Sequence, residues 1–199
     1  MPHRFQCTCG KLRGEIAEPR RAMRATCYCR DCQAYAHLLK RSADVLDDLG
    51  GTDIVATPAS NVTITAGRES LACVSLSPRG LLRWYAACCG TPFANTARDW
   101  KLPYVGLVHT CLRAPDPLER SFPRSEMRVN PKGAHGAVPQ DTGLGGKLRF
   151  AGLVMRLTGT RLSGGYRNTP LFTPEGQPVV APQVAAKEDV EAARLAAAK

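Results

Sequence analysis

The sequence predicts a mainly β protein with a few helices, and two observations support this fold class. From Thr52 onward, short runs rich in β-branched or bulky residues alternate with turns containing Pro, Asn and Gly. The turn "SPRG" joins two of these runs as a hairpin would, with Pro78 preset for a turn and Gly80 free to adopt positive φ. The length of 199 residues fits one domain, or one domain with an appended lobe.

The first half of the chain predicts a hairpin, a helix and a series of strands. Residues 1–16 fit a short hairpin around the Cys-x-Cys-Gly turn of "FQCTCGKLRGEI". An extended segment, "MRATC", leads into a helix within residues 31–51, where apolar residues recur at helical spacing until Gly50 and Gly51 end it. The predicted strands that follow are "TDIVATP", "NVTITAG", "SLACVSLS", "LLRWYAAC" and "YVGLVHTCL".

The composition changes after residue 112. Residues 130–146 predict a loop or linker, and "KLRFAGLVMRLTG" predicts an amphipathic helix. "TPLFTPEGQPVV" predicts a tight turn between extended arms, and "KEDVEAARLAAAK" predicts a terminal helix. We therefore divide the chain into a domain over residues 1–112 and a C-terminal extension over residues 113–199 that packs on the same domain.

The charge and hydropathy of the chain limit its partners. Lys and Arg number 27 against 17 Asp and Glu, giving a formal net charge of +10 that suits nucleic acid or a small anionic substrate. No basic stripe interleaved with aromatic residues and no helix-turn-helix pattern is present, so nucleic acid is the less favoured partner. The longest apolar runs are short and interrupted by arginine, and the first residues do not resemble a signal peptide. We expect a cytoplasmic protein without a membrane partner.

Most of the nine cysteines are clustered. A reducing compartment disfavours disulfides, so clustered cysteines there more often bind a metal or perform redox chemistry. Cys73 and Cys111 stand alone in apolar, strand-like runs. Because a free cysteine behaves as a small hydrophobe, these two are predicted to be buried, inert thiols.

The run "CYCRDC" brings Cys27, Cys29 and Cys32 together on one turn that leads into the predicted helix. Thiolates are preferred ligands of Zn²⁺, and the helix N-terminus helps to keep them ionised. Three protein ligands leave the fourth position open for water or substrate, as in catalytic zinc sites. The alternative is a closed structural site with a fourth ligand from elsewhere, for which His37 is the nearest candidate in the sequence.

A second set of cysteines comes from two distant turns. "CTC" supplies Cys7 and Cys9, and "CCGTP" supplies Cys88 and Cys89. In each case a glycine follows, as in zinc knuckles, where two such turns hold one ion. A zinc ion here would tie the first hairpin to the later sheet and would have a structural role.

The order of these motifs resembles the glutathione-dependent formaldehyde-activating enzyme and centromere protein V family. The resemblance covers residues 5–112 and rests mainly on the middle cysteine run and "CGTP". It implies an Mss4-like fold of coiled antiparallel β-sheets with two zinc sites. By resemblance, Cys7, Cys9 and Cys89 belong to the structural site, whereas the middle trio belongs to the catalytic site.

The sequence departs from the family pattern in two places. The family closes with Cys-x-x-Cys-Gly, but Ala86 stands where the first of these cysteines is expected. Either Cys88 supplies the missing ligand, or the structural site has three protein ligands, or its metal is weakened or absent. The C-terminal extension is the second departure, and the full length looks like an uncharacterised bacterial offshoot of the family.

The resemblance implies a zinc-dependent carbon–sulfur lyase similar to S-(hydroxymethyl)glutathione synthase. Its catalytic residues would be Cys27, Cys29 and Cys32, and its partners a small thiol such as glutathione and an aldehyde. Arg30, between two of the ligands, is a candidate contact for a substrate carboxylate. The alternative function is a non-enzymatic zinc-binding module for protein interaction, and a third is redox or metal sensing through exposed thiolates.

Overall fold

The computed structural model describes residues 1–122, 124–125, 127–138 and 143–198. The strands within these residues are β1 (His3–Gln6), β2 (Arg13–Ile16), β3 (Met23–Cys27), β4 (Thr52–Pro58), β5 (Val62–Ala66), β6 (Leu71–Ser75), β7 (Leu82–Ala86), β8 (Thr91–Thr96), β9 (Tyr104–Val108), β10 (Met127–Val129) and β11 (Gln183–Val184). The α-helices are α1 (Arg30–Leu38), α2 (Ser42–Val45), α3 (Leu118–Ser121), α4 (Leu144–Leu162) and α5 (Lys187–Ala196).

The described strands form two sheets. The smaller sheet has the order β1-β2-β5 and is antiparallel. The larger has the order β10-β3-β4-β9-β8-β7-β6-β11, and its six inner strands pair antiparallel. The two edge strands, β10 and β11, pair in parallel with their neighbours. The predicted mainly β fold with a few helices is therefore confirmed.

The main core lies between the two sheets. The inward-facing side chains of β1 and β2 meet those of β7, β8 and β9, and the rings of Phe5 and Phe93 are 5.2 Å apart. Gly14 is needed on β2 because a Cβ there would collide with the ring of Phe5 and the backbone of Thr63. Trp84 of β7 is fully buried, and a large aromatic side chain contributes about 3 kcal/mol when it is removed from water.

The predicted helix over residues 31–51 is interrupted. Helix α1 ends at Leu38, and Lys40 adopts φ 55°, in the left-handed region. The amide of Lys40 donates to the carbonyl of His37, and the amide of Arg41 donates to that of Ala36. These two bonds form a Schellman motif, which stops the helix although no glycine marks the position. The single predicted helix is therefore wrong in this region.

Two helices from the second half of the chain pack on the larger sheet and on α1. Helix α4 packs on β3 and β4 through Leu153, and helix α5 packs on α1 through Val190 and Ala193. Both predicted helices are therefore present, although Leu148 and Met155 of α4 are exposed. The predicted turn forms at Gly176, between the bridged residues Phe172 and Pro178.

The predicted loop over residues 130–146 is described only in part. Residues 139–142 lie outside the described residues, and α4 already begins at Leu144. The described part contains one short 3-10 turn, Pro131–Gly133. None of the described helices combines the length and the apolar composition that crossing a lipid bilayer requires.

Replacing Lys40 by glycine is expected to stabilise the protein by about 1 kcal/mol, because a left-handed backbone costs a residue with a Cβ roughly that much. Lys40→Ala is the matched control, since it removes the same side chain but keeps the Cβ. Urea unfolding measures both variants. Equal stability of the two variants would contradict the assignment of strain to this position.

Candidate metal centres

Four cysteines from two turns meet at one end of the fold. Cys7 and Cys9 lie in the β1–β2 turn, and Cys88 and Cys89 lie in the β7–β8 turn. Their sulfurs all lie within 4.8 Å of one another, with Cys9 and Cys88 3.2 Å apart and Cys7 and Cys88 3.8 Å apart. Ligands at 2.3 Å from a tetrahedral zinc ion are about 3.8 Å apart, so this donor set fits zinc.

The β7–β8 turn explains how two adjacent cysteines reach one site. The amide of Gly90 donates to the carbonyl of Ala86, which closes a single helical turn over the residues between them. Successive side chains in such a turn point about 100° apart, which lets both sulfurs face the first hairpin. Ala86 is itself 0% exposed within β7, and Cys88 is the fourth member of the group that could hold a metal ion.

Two sulfurs of this group form hydrogen bonds with neighbouring residues. The amide of Leu12 donates to the sulfur of Cys7 at 3.3 Å, and the hydroxyl of Thr91 lies 3.0 Å from the sulfur of Cys89. Burial raises the pKa of Cys89, but hydrogen bonds from Thr8 and Thr91 outweigh it and lower this pKa to about 5. A thiolate is thus favoured at Cys89 at neutral pH.

The middle trio lies where β3 passes into α1. Cys27 is the last residue of β3, Cys29 is the N-cap of α1, and Cys32 lies in the first turn of that helix. The sulfurs lie within 4.8 Å of one another, and the amide of Cys32 donates to the sulfur of Cys29. Cys27 and Cys32 are 7% and 6% exposed, whereas Cys29 is half-buried. Access to the trio is therefore from the side of Cys29.

No fourth metal-ligating side chain joins this trio among the residues that the structure describes. His37 and every other described His, Cys, Asp and Glu lie outside the group. Nitrogen donors lie against the sulfurs instead: the side chain of Asn130 is 3.9 Å from Cys27, and that of Arg83 is 3.8 Å from Cys32. The trio offers three sulfur ligands and leaves a fourth position to another group.

Arg83 on β7 is the feature of this site that the sequence pattern missed. Its side chain is buried, with the residue 3% exposed, and Nη1 donates to Oδ1 of Asn95 at 3.2 Å. The guanidinium lies 5.2 Å from the ring centroid of Tyr35, within cation–π distance. No described Asp or Glu forms an ion pair with Arg83.

The cysteine trio supplies the charge that balances Arg83. A buried charge without a partner costs several kcal/mol, so a group beside it must be negative. Three thiolates around a divalent zinc ion carry a net charge of −1, which equals the charge that Arg83 requires. Burial lowers the pKa of Arg83, but its electrostatic interactions with Cys32 and Cys29 outweigh burial and raise this pKa.

The three thiols differ in the pKa that their neighbours impose. Hydrogen bonds from Cys27 and Cys32 hold the pKa of Cys29 well below its usual value. Hydrogen bonds with Cys27 and Cys29 raise the pKa of Cys32, because its thiol donates rather than accepts. In the metal-free protein the negative charge is thus concentrated on Cys29, the most accessible of the three.

A basic cavity of about 320 Å³ lies at the start of α1, and its lining includes Arg30 and Gln33, which neighbour Cys29 and Cys32 in the chain. Its walls come from the start of α1, the loop before α4 and the end of α5, and its charged residues include Arg30, Lys132 and Arg194. Gly133 approaches so closely that a Cβ would collide with the carbonyl oxygen of Tyr28. The side chain of Gln33 donates to the carbonyls of both residues, at 3.1 Å to Tyr28 and 2.9 Å to Gly133.

The two isolated cysteines are buried as predicted. Cys73 is 2% exposed and Cys111 is 1% exposed, and both pack in the main core. Burial raises the pKa of both thiols, in the case of Cys73 to about 12. Neither belongs to a metal-ligating group among the described residues.

Comparison with known proteins places the chain in a family. The family of unknown function DUF6151 matches residues 3–182. The chain belongs to this family. A search of curated proteins finds no match.

One solved structure similar to this DUF6151 chain is the crystal structure of a Rhodobacter sphaeroides protein. The sequence identity is 17%, the match covers 63% of this chain and 99% of that chain, and the TM-score is 0.41. A likeness at this level supports no conclusion about fold or function. The two cysteine groups are compatible with a zinc-binding Mss4-like fold, whereas membership of the formaldehyde-activating enzyme family stays a prediction.

Cys88→Ser is expected to destabilise the DUF6151 chain as much as Cys9→Ser does. Each change removes one of four sulfurs from a site that joins segments 79 residues apart, where a bound metal offsets a large loop-closure entropy. Elemental analysis should show a loss of about one zinc ion per chain, from about two in the unaltered protein. A Cys88→Ser variant with full zinc content and an unchanged melting temperature would exclude Cys88 as a ligand.

Arg83→Met is expected to weaken zinc binding at the middle trio and to destabilise the protein by about 3 kcal/mol, because it leaves the negative thiolate group without its buried counter-charge. Arg83→Lys keeps the charge and should retain more of both properties. Competition with a chromophoric zinc chelator measures the affinity. If Arg83→Met and Arg83→Lys weaken zinc binding equally, Arg83 contributes through its shape rather than its charge.

Proposed function

We propose that this protein is a zinc-dependent carbon–sulfur lyase that reversibly joins a small thiol to an aldehyde. The observation that carries this proposal is the middle trio, in which three sulfurs converge and no fourth metal-ligating side chain joins them among the described residues. A zinc ion bound there would supply a Lewis acid with one position free for an incoming thiol.

The reaction assigned to this site is a balanced addition. The thiol loses its proton, its sulfur forms a bond to the aldehyde carbon, and the aldehyde oxygen takes up a proton to become a hydroxyl. The reverse reaction breaks the same carbon–sulfur bond and returns the thiol and the aldehyde. No oxidant or reductant is required in either direction.

The role of Arg83 in this reaction is to hold the trio in its anionic form. Its guanidinium lies on the buried side of the trio, 3.8 Å from the sulfur of Cys32, and leaves the side of Cys29 accessible. Tyr35 fixes the spacing between α1 and β7, because its hydroxyl donates to the carbonyl of Trp84 at 3.0 Å. The sulfurs and the guanidinium therefore keep one geometry while the thiol enters and leaves.

The basic cavity beside the trio favours an anionic thiol such as glutathione. Arg30 follows Cys29 directly and lines this cavity together with Lys132 and Arg194. Arg194 is paired with Asp31 at 2.8 Å, whereas Arg30 and Lys132 form no ion pair with any described residue. Two cations without an ion-pair partner among the described residues suit the carboxylates of a peptide thiol.

A non-enzymatic zinc-binding module is the second candidate, and α4 is the observation that favours it. This helix exposes large apolar side chains that could contact another protein. They are Leu144, Leu148, Phe150, Val154, Met155 and Leu162.

Cys29→Ser is expected to abolish the protein-catalysed exchange between glutathione, formaldehyde and S-hydroxymethylglutathione, because it removes one of the three sulfurs of the trio. The fold should stay intact, because Cys29 is half-buried and lies outside the main core. Proton NMR of a glutathione and formaldehyde mixture measures the exchange catalysed by the zinc-loaded protein. Circular dichroism of the variant confirms its fold.

Replacing zinc by cobalt distinguishes the proposed lyase from the proposed interaction module. Thiolate-to-cobalt absorption bands should shift when glutathione or another small thiol enters the coordination sphere of the trio. Absence of any shift, together with unchanged NMR exchange in the presence of the protein, would contradict the lyase and leave the interaction module.

A further inference from the structure

A cavity of about 390 Å³ lies beside β3 and β4, on the face of the sheet opposite the trio. Thr26 lines this cavity, whereas Cys27 belongs to the trio, and successive residues of a strand point to opposite faces. The other walls come from α2, from the loop that follows α2, and from Arg113, Ser125 and Arg128. The volume is within the range of cavities that hold small molecules. Neither the lyase nor the interaction module uses this cavity.

A buried histidine presents an acceptor without a partner to this cavity. His109 lines the cavity and is 4% exposed. Its Nδ1 lies 3.2 Å from the carbonyl oxygen of Asp53, which can only accept, so Nδ1 carries the hydrogen of the neutral ring. Burial and the nearby charge of Arg113 lower the pKa of His109, which favours this neutral form. Nε2 is then an acceptor without a hydrogen-bond partner among the described residues, and a donor group of a ligand would satisfy it.

Asp47 presents a second acceptor at the cavity wall. Its Oδ1 accepts from the amides of Leu49 and Gly51, at 2.9 Å and 2.6 Å. Among the described residues Oδ2 has only the hydroxyl of Tyr28, at 3.5 Å, and a hydrogen bond of this length is weak. A Cβ at Gly51 would collide with the side chains of both Asp47 and Tyr28, so glycine is needed for them to approach each other. Oδ2 therefore has lone pairs available for a ligand.

The unpaired charges that line the cavity are one of each sign. Asp44 and Asp53 each form an ion pair with an arginine outside the lining, and Arg128 has partners of its own. Asp47 and Arg113 form no ion pair with any described residue. One acid and one base without ion-pair partners suit a ligand that carries both charges.

We propose that this cavity binds a free α-amino acid with an apolar side chain. The ammonium group of the ligand would donate to Nε2 of His109 and to Oδ2 of Asp47, and its carboxylate would accept from the guanidinium of Arg113. Four apolar residues of α2 and the following loop line the cavity and would contact the side chain of the ligand: Ala43, Val45, Leu46 and Leu49.

Isothermal titration of the full-length, zinc-loaded protein with L-leucine tests this proposal, and saturable binding is expected. Two analogues keep the branched apolar chain: isocaproate lacks the ammonium group, and isoamylamine lacks the carboxylate. Each should bind at least about tenfold more weakly than leucine, because a hydrogen bond to a charged group contributes about that factor. This comparison uses the unaltered protein, so it does not depend on the folding of any variant.

Substitutions in the cavity make the result specific. His109→Asn removes Nε2 but can keep a donor for the backbone carbonyl, and Asp47→Asn removes the charge but keeps an acceptor for the two amides. Both variants, and Arg113→Gln, should weaken leucine binding by about tenfold. Arg79→Gln removes an exposed positive charge outside the cavity and should change the affinity less than about twofold. Cys29→Ser should bind leucine like the unaltered protein, since the cavity does not involve the trio.

Three results would overturn the proposal. One is the absence of saturable leucine binding. Another is isocaproate binding as tightly as leucine, which would indicate a site for carboxylates in general. The third is an equal loss of affinity in Arg79→Gln and Arg113→Gln, which would indicate general attraction to a basic surface.

Discussion

The buried charge of Arg83 is the constraint around which both the sheet and the middle trio are built. A guanidinium in the interior of a sheet is unfavourable unless an anion accompanies it, and here Cys29 and Cys32 are the ionisable thiols that interact with it. Helix α1, which carries Cys32, therefore has to stay close to β7. The same strand ends at the turn that carries Cys88 and Cys89, so β7 links the two cysteine groups.

The parts of the molecule that depend on local sequence could be predicted. Cysteine spacing identified both groups, and runs of β-branched residues identified most inner strands of the sheet. Arg83 could not be identified in this way, because alternation along a strand does not show whether a side chain faces water or another buried element. In "LLRWYAAC" nothing distinguishes the arginine from a solvent-facing residue, whereas the face it occupies is covered by α1.

The remaining differences come from tertiary contacts that leave no mark on a short stretch of sequence. Lys40 ends α1 in a conformation that glycine usually adopts, so the break had no composition signal. Strands β10 and β11 have three and two residues, and each exists because a distant segment docks beside β3 or β6. Cys88 belongs to a ligand group because of the turn closed by Gly90, a geometry that spacing alone does not fix.

The shortness of the two outermost strands affects how the protein behaves in concentrated solution. Among the described strands, the long members of the larger sheet all have neighbours on both sides, and only the two very short strands lie at its margins. Exposed margins of sheets are templates for pairing between molecules, and brevity is one way in which proteins prevent it. The sheet is thus protected against intermolecular β-association by segments that lie at or beyond residue 127 in the chain.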